Sequence, residues 1–173
     1  MHITNCNVKR DAPALQRILN EAIIHSTALY DYEPRPLATV TAWAQGKEID
    51  DLPLRGAFDD QQNLMGFATF GAFRPQPAYK YTVEHSVYVD SSCRGQGIGF
   101  ALLQDLLRQA IDRDYHVMIG CIDAANHASI ALHERLGFVH CGTVREAGFK
   151  FGRWLDAAFY QTRLATPSAP VDG

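Results

Sequence analysis

Two stretches of the 173-residue chain place chemically useful residue types at useful spacing. The first is Arg94-Gly95-Gln96-Gly97-Ile98-Gly99, with three glycines in five residues between a β-prone run and an amphipathic helical one. Glycine lets a backbone approach a ligand closely with its N–H groups free. A helix start adds unpaired N–H donors and partial positive charge. The guest that suits such a loop is a phosphate or pyrophosphate; the competing reading is a tight turn that holds nothing. No lysine completes a G-x-x-x-x-G-K-[S/T] loop, and Phe100 stands where a dinucleotide fingerprint needs its third glycine. The second stretch is Tyr81-Thr82-Val83-Glu84-His85-Ser86-Val87-Tyr88-Val89. A carboxylate among apolar strand residues is costly to bury unpaired, so Glu84 marks either a site or a buried pair. As a site residue it can take a proton from a nucleophile. Alternation puts Glu84, Ser86 and Tyr88 on one face and Val83, His85, Val87 and Val89 on the other, which gives His85 a hydrogen-bonded place in the core.

These groups need a scaffold. A strand near Ile3 precedes a helix that opens at Lys9-Arg10-Asp11-Ala12-Pro13, with the proline in its first turn. Leu15, Ile18, Leu19, Ala22 and Ile23 carry helical spacing to about His25. Residues 26–36 break the pattern, and a second helix is expected over 37–47. Strands over 54–58 and 64–73 flank a polar hairpin connection at 59–63. Residues 81–89 are the most β-prone run. A helix over 97–113 shows an apolar stripe of Ile98, Leu102, Leu106 and Ala110, with Leu103 and Leu107 beside it. Then come a strand over 116–122, a helix over 126–136 stopped by Gly137 in the left-handed conformation, and strands over 138–144 and 157–164. The order β-α-α-β-β-β-α-β-α-β-β is neither strict βαβ alternation nor all-β. It predicts an α/β (α+β) three-layer fold around a mixed central sheet.

Composition bounds the rest. Apolar residues at 47% and charged residues at 20% are enough for a real core, which excludes disorder. A net charge of -3 argues against a nucleic-acid partner. No apolar run approaches the ~18 residues of a membrane span, and Met1-His2-Ile3-Thr4-Asn5-Cys6 lacks the pattern of a secretory signal. One cytoplasmic domain over 1–164 is expected, followed by a mobile tail over 165–173. Cys6, Cys93, Cys121 and Cys141 form no C-x-x-C pair and read as free thiols, three of them as small hydrophobes in or beside apolar runs. The seven histidines form no H-x-x-x-H or H-E-x-x-H, so no metal is expected.

The spacing Arg94-x-x-Gly97-x-Gly99 resembles the pyrophosphate loop of the GNAT-type N-acetyltransferases, and the order of elements is similar to that fold. Three separated segments look like the phosphinothricin acetyltransferase subfamily, whose relatives include bacterial L-methionine sulfoximine/sulfone acetyltransferases. They are the 81–89 run, Ser129-Ile130-Ala131-Leu132-His133-Glu134-Arg135-Leu136-Gly137-Phe138, and Lys150-Phe151-Gly152-Arg153-Trp154-Leu155-Asp156. The resemblance spans residues 3–164. It implies acetyl-CoA as co-substrate, with the diphosphate on Arg94, Gly95, Gln96, Gly97, Ile98, Gly99 and Phe100. It also implies a strand that parts from its neighbour, so that backbone groups of Val87, Tyr88 and Val89 pair with the pantetheine arm. Asn126 falls where the family contacts the cofactor, and is equally an ordinary N-cap. His133 stands where the wider fold often has a tyrosine proposed to protonate the leaving thiolate, so that role cannot be copied; it contacts the CoA sulfur region or packs.

On the acceptor side the family groups Glu84, His85 and Ser86, with Glu84 as catalytic base. Arg74-Pro75-Gln76 sits in a loop where an arginine can clamp a carboxylate or phosphinyl group, or simply be solvated. Tyr30-Asp31-Tyr32-Glu33-Pro34 offers one wall of an acceptor pocket, and Phe73 stands where some relatives have tryptophan. The Lys150–Trp154 stretch closes the pocket or lines a homodimer interface. The implied activity is direct acetyl transfer to the α-amine of a small amino-acid-like acceptor: phosphinothricin, methionine sulfoximine or methionine sulfone. No cysteine in the strand suggests an acetyl-enzyme. The alternatives are a GNAT enzyme for a polyamine, peptide N-terminus or antibiotic amine, and a non-catalytic CoA-binding protein. The expected partners are a small-molecule amine and a second copy of the chain, with no nucleic acid or membrane.

Overall fold

The computed structural model describes residues 1–172; Gly173, the end of the expected tail, lies outside the described residues. The elements are β1 (His2–Asn5), α1 (Val8–His25), α2 (Leu37–Ile49), β2 (Leu54–Phe58), β3 (Leu64–Ala72), β4 (Thr82–Val89), α3 (Ile98–Ile111), β5 (Val117–Asp123), α4 (His127–Arg135), β6 (Val139–Lys150) and β7 (Arg153–Arg163). Short 3-10 turns occupy Pro77–Tyr79 and Ser91–Cys93. This is the order expected from the sequence. The strands form one seven-stranded mixed sheet in the order β1-β2-β3-β4-β5-β7-β6. The β4–β5 pair is parallel, whereas β1–β2, β2–β3, β5–β7 and β6–β7 are antiparallel. No helix among the described residues is long and apolar enough to cross a membrane.

The chain divides into two compact units, the first from residues 1–69 and 86–106, the second from residues 70–85 and 107 onward. In the first, α1 buries Leu15, Ile18 and Leu19 against Val40 and Ala44 of α2, Leu54 and Phe58 of β2, and Leu64 and Phe67 of β3. Each fully buried leucine or isoleucine contributes about 1.5–3 kcal/mol relative to exposure. The Phe67 ring meets Trp43 and Tyr88. α1 begins earlier than its sequence suggests. The Asn7 side chain accepts the Arg10 N–H (3.0 Å), and the Asp11 carboxylate accepts the Asn7 N–H (2.7 Å), a reciprocal cap. Pro13 therefore falls inside the helix, beyond its first turn.

In the second unit, β5 pairs with β7 from Val117↔Arg163 to Asp123↔Ala157. Met118, Gly120 and Ile122 take the buried phase of β5, so Cys121 points outward. Cys121 and Cys141 are thus exposed rather than core hydrophobes, and all four cysteines are free thiols. β6 runs to Lys150 instead of stopping at residue 144. After an irregularity between Val144 and Gly148, pairing resumes at Gly148↔Leu155. At that break Glu146 adopts a positive φ of 51° and its N–H donates to the Asp156 carboxylate (2.8 Å). β7 correspondingly starts at Arg153, after a two-residue loop in which Phe151 and Gly152 both have positive φ (52° and 72°), as in a type I′ hairpin turn. In the segment expected to be a tail, the Thr166 hydroxyl donates to the Tyr115 carbonyl (2.6 Å) and the Val171 N–H to the Tyr81 hydroxyl (3.2 Å).

Candidate active site

The glycine loop belongs to the first unit. β4 delivers the chain to it past Gly66 of β3, where a Cβ would lie 2.8 Å from the Tyr88 carbonyl oxygen and 3.1 Å from the Val89 Cα. Just beyond β4, the Asp90 N–H donates to the Met65 carbonyl (2.9 Å). The buried Asp90 carboxylate accepts the Ser92 N–H (2.9 Å), the Ser92 hydroxyl (2.6 Å) and the Arg17 guanidinium. Burial alone would raise its pKa; the bonds from Ser92 and Arg17 reverse this and hold it at about 2.

Gly95 and Gly97 follow, both at φ +77°, with nothing within 4 Å of where a Cβ would be. Their requirement is therefore conformational, since other L-residues pay about 1–2 kcal/mol in that region. At the start of α3 the Ala101 N–H donates to the Gly97 carbonyl (3.1 Å). Ahead of it, the amides of Ile98 and Gly99 have no acceptor among the described residues. Consecutive backbone donors around two left-handed glycines form an anion-binding concavity. At the loop, Gln96 and Ile98 border an open recess of about 280 Å³ that also meets Met65 and the hairpin tip at Asp59, Asp60 and Gln61. A diphosphate fits these donors. The Arg94 side chain is otherwise engaged, bonded to the Glu21 carboxylate (2.7 Å) and the Val89 carbonyl (3.3 Å). Ser86 and Val87 are half-buried, as is Phe100 in the first turn of α3.

The second unit holds Glu84, His85, Arg74, Pro75, Gln76, Asn126 and His133. The β4–β5 ladder spans Thr82–Glu84 against Val117–Ile119, with Glu84 opposite Ile119, and is not continued to Val87, Tyr88 and Val89. Glu84 is half-buried. Burial raises its carboxyl above the ordinary value, and the positive charge of Arg74 only partly offsets this. Ile119 and Cys121 lie on Glu84's face of the sheet, and the Cys121 thiol is pushed up by burial and by the Glu84 charge. Arg74, Pro75 and Gln76 are exposed. The Arg74 guanidinium stacks over the Phe73 ring (4.2 Å) and donates to the Phe73 carbonyl (2.9 Å).

On the opposite face His85 and His133 are both buried and stacked, with ring centroids 5.0 Å apart. The His133 Nδ1 lies 2.7 Å from the Ser129 carbonyl and must donate to it, which leaves Nε2 of the neutral ring bare. The 3.0 Å contact between the two Nε2 atoms then needs its proton on His85. The remaining His85 Nδ1 is buried without a partner among the described residues, at a cost of about 1–3 kcal/mol. Burial and the neighbouring His133 lower the His85 pKa to about 3. Burial lowers His133 too, against the bond to Ser129. Gly120 makes the pair possible: a Cβ there would lie 2.8 Å from the His85 Nε2 and 3.1 Å from the His133 Nε2. Asn126 caps α4, its side chain accepting the Ser129 N–H (3.1 Å). Neither Asp90 nor Gly120 is marked by any sequence pattern; the charges at Arg17 and Glu21, one helical turn apart on α1, are the signal that bears on the first of them.

Residues 17–138 match the model of the acetyltransferase (GNAT) family. The chain belongs to that family. Its similarity extends well beyond the matched segment. It is 42% identical over 161 residues to an L-methionine sulfoximine/L-methionine sulfone acetyltransferase of Pseudomonas aeruginosa, covering 92% of this chain and 94% of that one. Among solved structures, an N-acetyltransferase from Staphylococcus aureus superposes with a TM-score of 0.91 at 44% identity, covering 94% of this chain and 97% of that one. A phosphinothricin acetyltransferase from Sinorhizobium meliloti, solved in complex with acetyl-CoA, gives 0.94 at 32% identity over 99% and 92%. The protein is an N-acetyltransferase.

Proposed function

We propose that the protein transfers an acetyl group from acetyl-CoA to the α-amine of a small amino-acid-like acceptor of the methionine sulfoximine, methionine sulfone or phosphinothricin kind, with Glu84 as general base. Acetyl-CoA supplies the acetyl group activated as a thioester. The diphosphate sits on the backbone donors of residues 94–100, and Val87, Tyr88 and Val89 offer backbone groups to the pantetheine arm. Asn126, with its side-chain oxygen committed to the cap, offers its amide nitrogen. Glu84 takes the proton that leaves the acceptor nitrogen as the N–C bond forms and the C–S bond breaks; the released thiolate takes up a proton in turn. Arg74 supplies the charge for an acidic acceptor group, beside Pro75 and Gln76, with Ser86 on the substrate side. His85 and His133 are neutral and buried, and support the sheet beneath Glu84.

The observation that carries this reading is Glu84 itself, a half-buried carboxylate with a raised pKa. A base nearer in strength to its substrate is a better proton acceptor at neutral pH than an ordinary glutamate. Glu84→Gln keeps shape and removes basicity, so turnover should fall ~10²–10⁴-fold with acetyl-CoA affinity unchanged. Undiminished turnover would remove Glu84 from the role. A thiol-release screen against amino acids, polyamines and peptides identifies the acceptor; a polyamine preference would sink the acidic-acceptor reading.

The same reading includes a homodimer and a reducing, cytoplasmic setting, supported by four free thiols. The exposed Phe151 and the exposed, edge-on pair Phe149–Trp154 (5.1 Å) on the β6–β7 hairpin offer the contact to a second copy. Sedimentation of a monomer at micromolar concentration would contradict it.

A further inference from the structure

Arg17 and Glu21 stand four residues apart on α1, neighbours on one helical face. Asp90 and Arg94 are also four residues apart, on the segment that leads into the glycine loop. The two pairs meet crosswise. The Arg17 guanidinium donates to Asp90 Oδ2, and the Arg94 guanidinium donates to Glu21 Oε2 (2.7 Å). At each point an acid on one element meets a base on the other, in opposite order, so the arrangement fixes register along α1 as well as distance. Both partners facing the loop are anchored further. Asp90 is only 7% exposed and holds Ser92 through two hydrogen bonds, while Arg94 also reaches the Val89 carbonyl.

Rigidity at this point has a use. The loop contains two glycines in the left-handed region, and glycine is the residue that loses most freedom when ordered. A binding loop that must be ordered by its ligand pays for that ordering in affinity. α3 fixes the far end of the loop; nothing in the glycine spacing itself fixes the near end.

We propose that α1, through Arg17 and Glu21, is a positioning element that holds the near end of the glycine loop in its acetyl-CoA-binding geometry. The proposal rests on the reading that residues 94–100 bind the diphosphate. Arg17 and Asp90 are positioning residues; they act on the cofactor only through the loop. The Arg94 side chain serves the clamp, and phosphate binding falls to the backbone.

Arg17 is exposed enough to be replaced without disturbing the core. Arg17→Gln should raise both the Kd and the KM for acetyl-CoA ~10-fold, an effect in the range of couplings between contacting residues. The kcat and the KM for the acceptor should stay unchanged, and Arg17→Lys should recover most of the loss. Asp90→Asn should show the same split. The double variant should be no worse than the poorer single one, because both remove one interaction. Calorimetric titration with acetyl-CoA, steady-state kinetics and melting temperatures read these out. Unchanged affinity in both single variants, additive losses, or a uniform fall in kcat and both KM values that tracks lowered melting temperature would each overturn the clamp. Wild-type protein that does not bind acetyl-CoA overturns the functional reading of the loop, and the clamp with it; wild-type binding matched by Arg17→Gln overturns the clamp alone.

Discussion

The loop-bearing and glutamate-bearing units solve opposite electrostatic problems. Around the glycine loop charged groups are paired with opposite charges, as in Arg17 with Asp90 and Arg94 with Glu21, and Asp90 is held at about 2. Around Glu84 burial drives groups toward neutrality: the carboxyl rises and both histidines fall. Their glycines differ in the same way. Gly95 and Gly97 have room for a side chain but a backbone that disfavours one, whereas Gly120 has no room for a Cβ. The contrast accords with the roles proposed above: a surface for a polyanion can tolerate fixed charge, while a proton acceptor works best where charge is held with difficulty.

Three experiments test that contrast, the largest effect first. Gly120→Ala should destabilise the protein by about 1–3 kcal/mol, because a Cβ overpacks the histidine pair; a urea midpoint measures it, and acetyl-CoA affinity should not change. A neutral result would mean that the pair yields easily and that the crowding is unimportant. Gly97→Ala meets open space, so its cost should be only the about 1–2 kcal/mol of a left-handed alanine, and here acetyl-CoA affinity should fall. Equal affinity would break the link between loop conformation and binding.

The smallest effect is the pH response. Folded His85 titrates at about 3 and an unfolded histidine near ~6.5, so between those values the unfolded chain carries the extra proton and stability falls on acidification. Asp90 acts in the same direction over a lower window, between about 2 in the fold and the ordinary 3.8. Glu84 has the opposite sign: its raised pKa means that the ionised form burdens the fold at pH 7. Glu84→Gln should therefore raise the melting temperature slightly even as turnover falls, and a lowered one would show that the carboxylate is structurally paired.

The sequence makes the element order and the two chemical stretches legible, because period-two alternation in β4, the stripe on α3 and the glycine spacing are local signals. The faces assigned to Glu84 and His85 follow from alternation alone, and Val83 and His85 are indeed the buried side. Other features depend on what lies across the sheet or beside a helix. Asp90 looks like an ordinary loop aspartate until Arg17 faces it, and Gly120 like a weak spot in a strand until two imidazoles occupy the space. The strand expected over 138–144 extends to Lys150 because pairing with β7 resumes at Gly148 beyond the irregularity after Val144, a cross-strand effect that no local pattern carries.

The two units are each assembled from separated stretches of chain, and this has a consequence for how the protein is made. No single cut releases either unit as a contiguous piece, so the loop half cannot be expressed as a simple fragment. During synthesis the loop-bearing unit has all its residues once Leu106 is added, whereas β7, which borders β5, ends only at Arg163. At ribosomal speeds of about 5–20 residues/s that interval is roughly 3 to 11 s. The loop-bearing half is thus complete in sequence well before the half that holds Glu84.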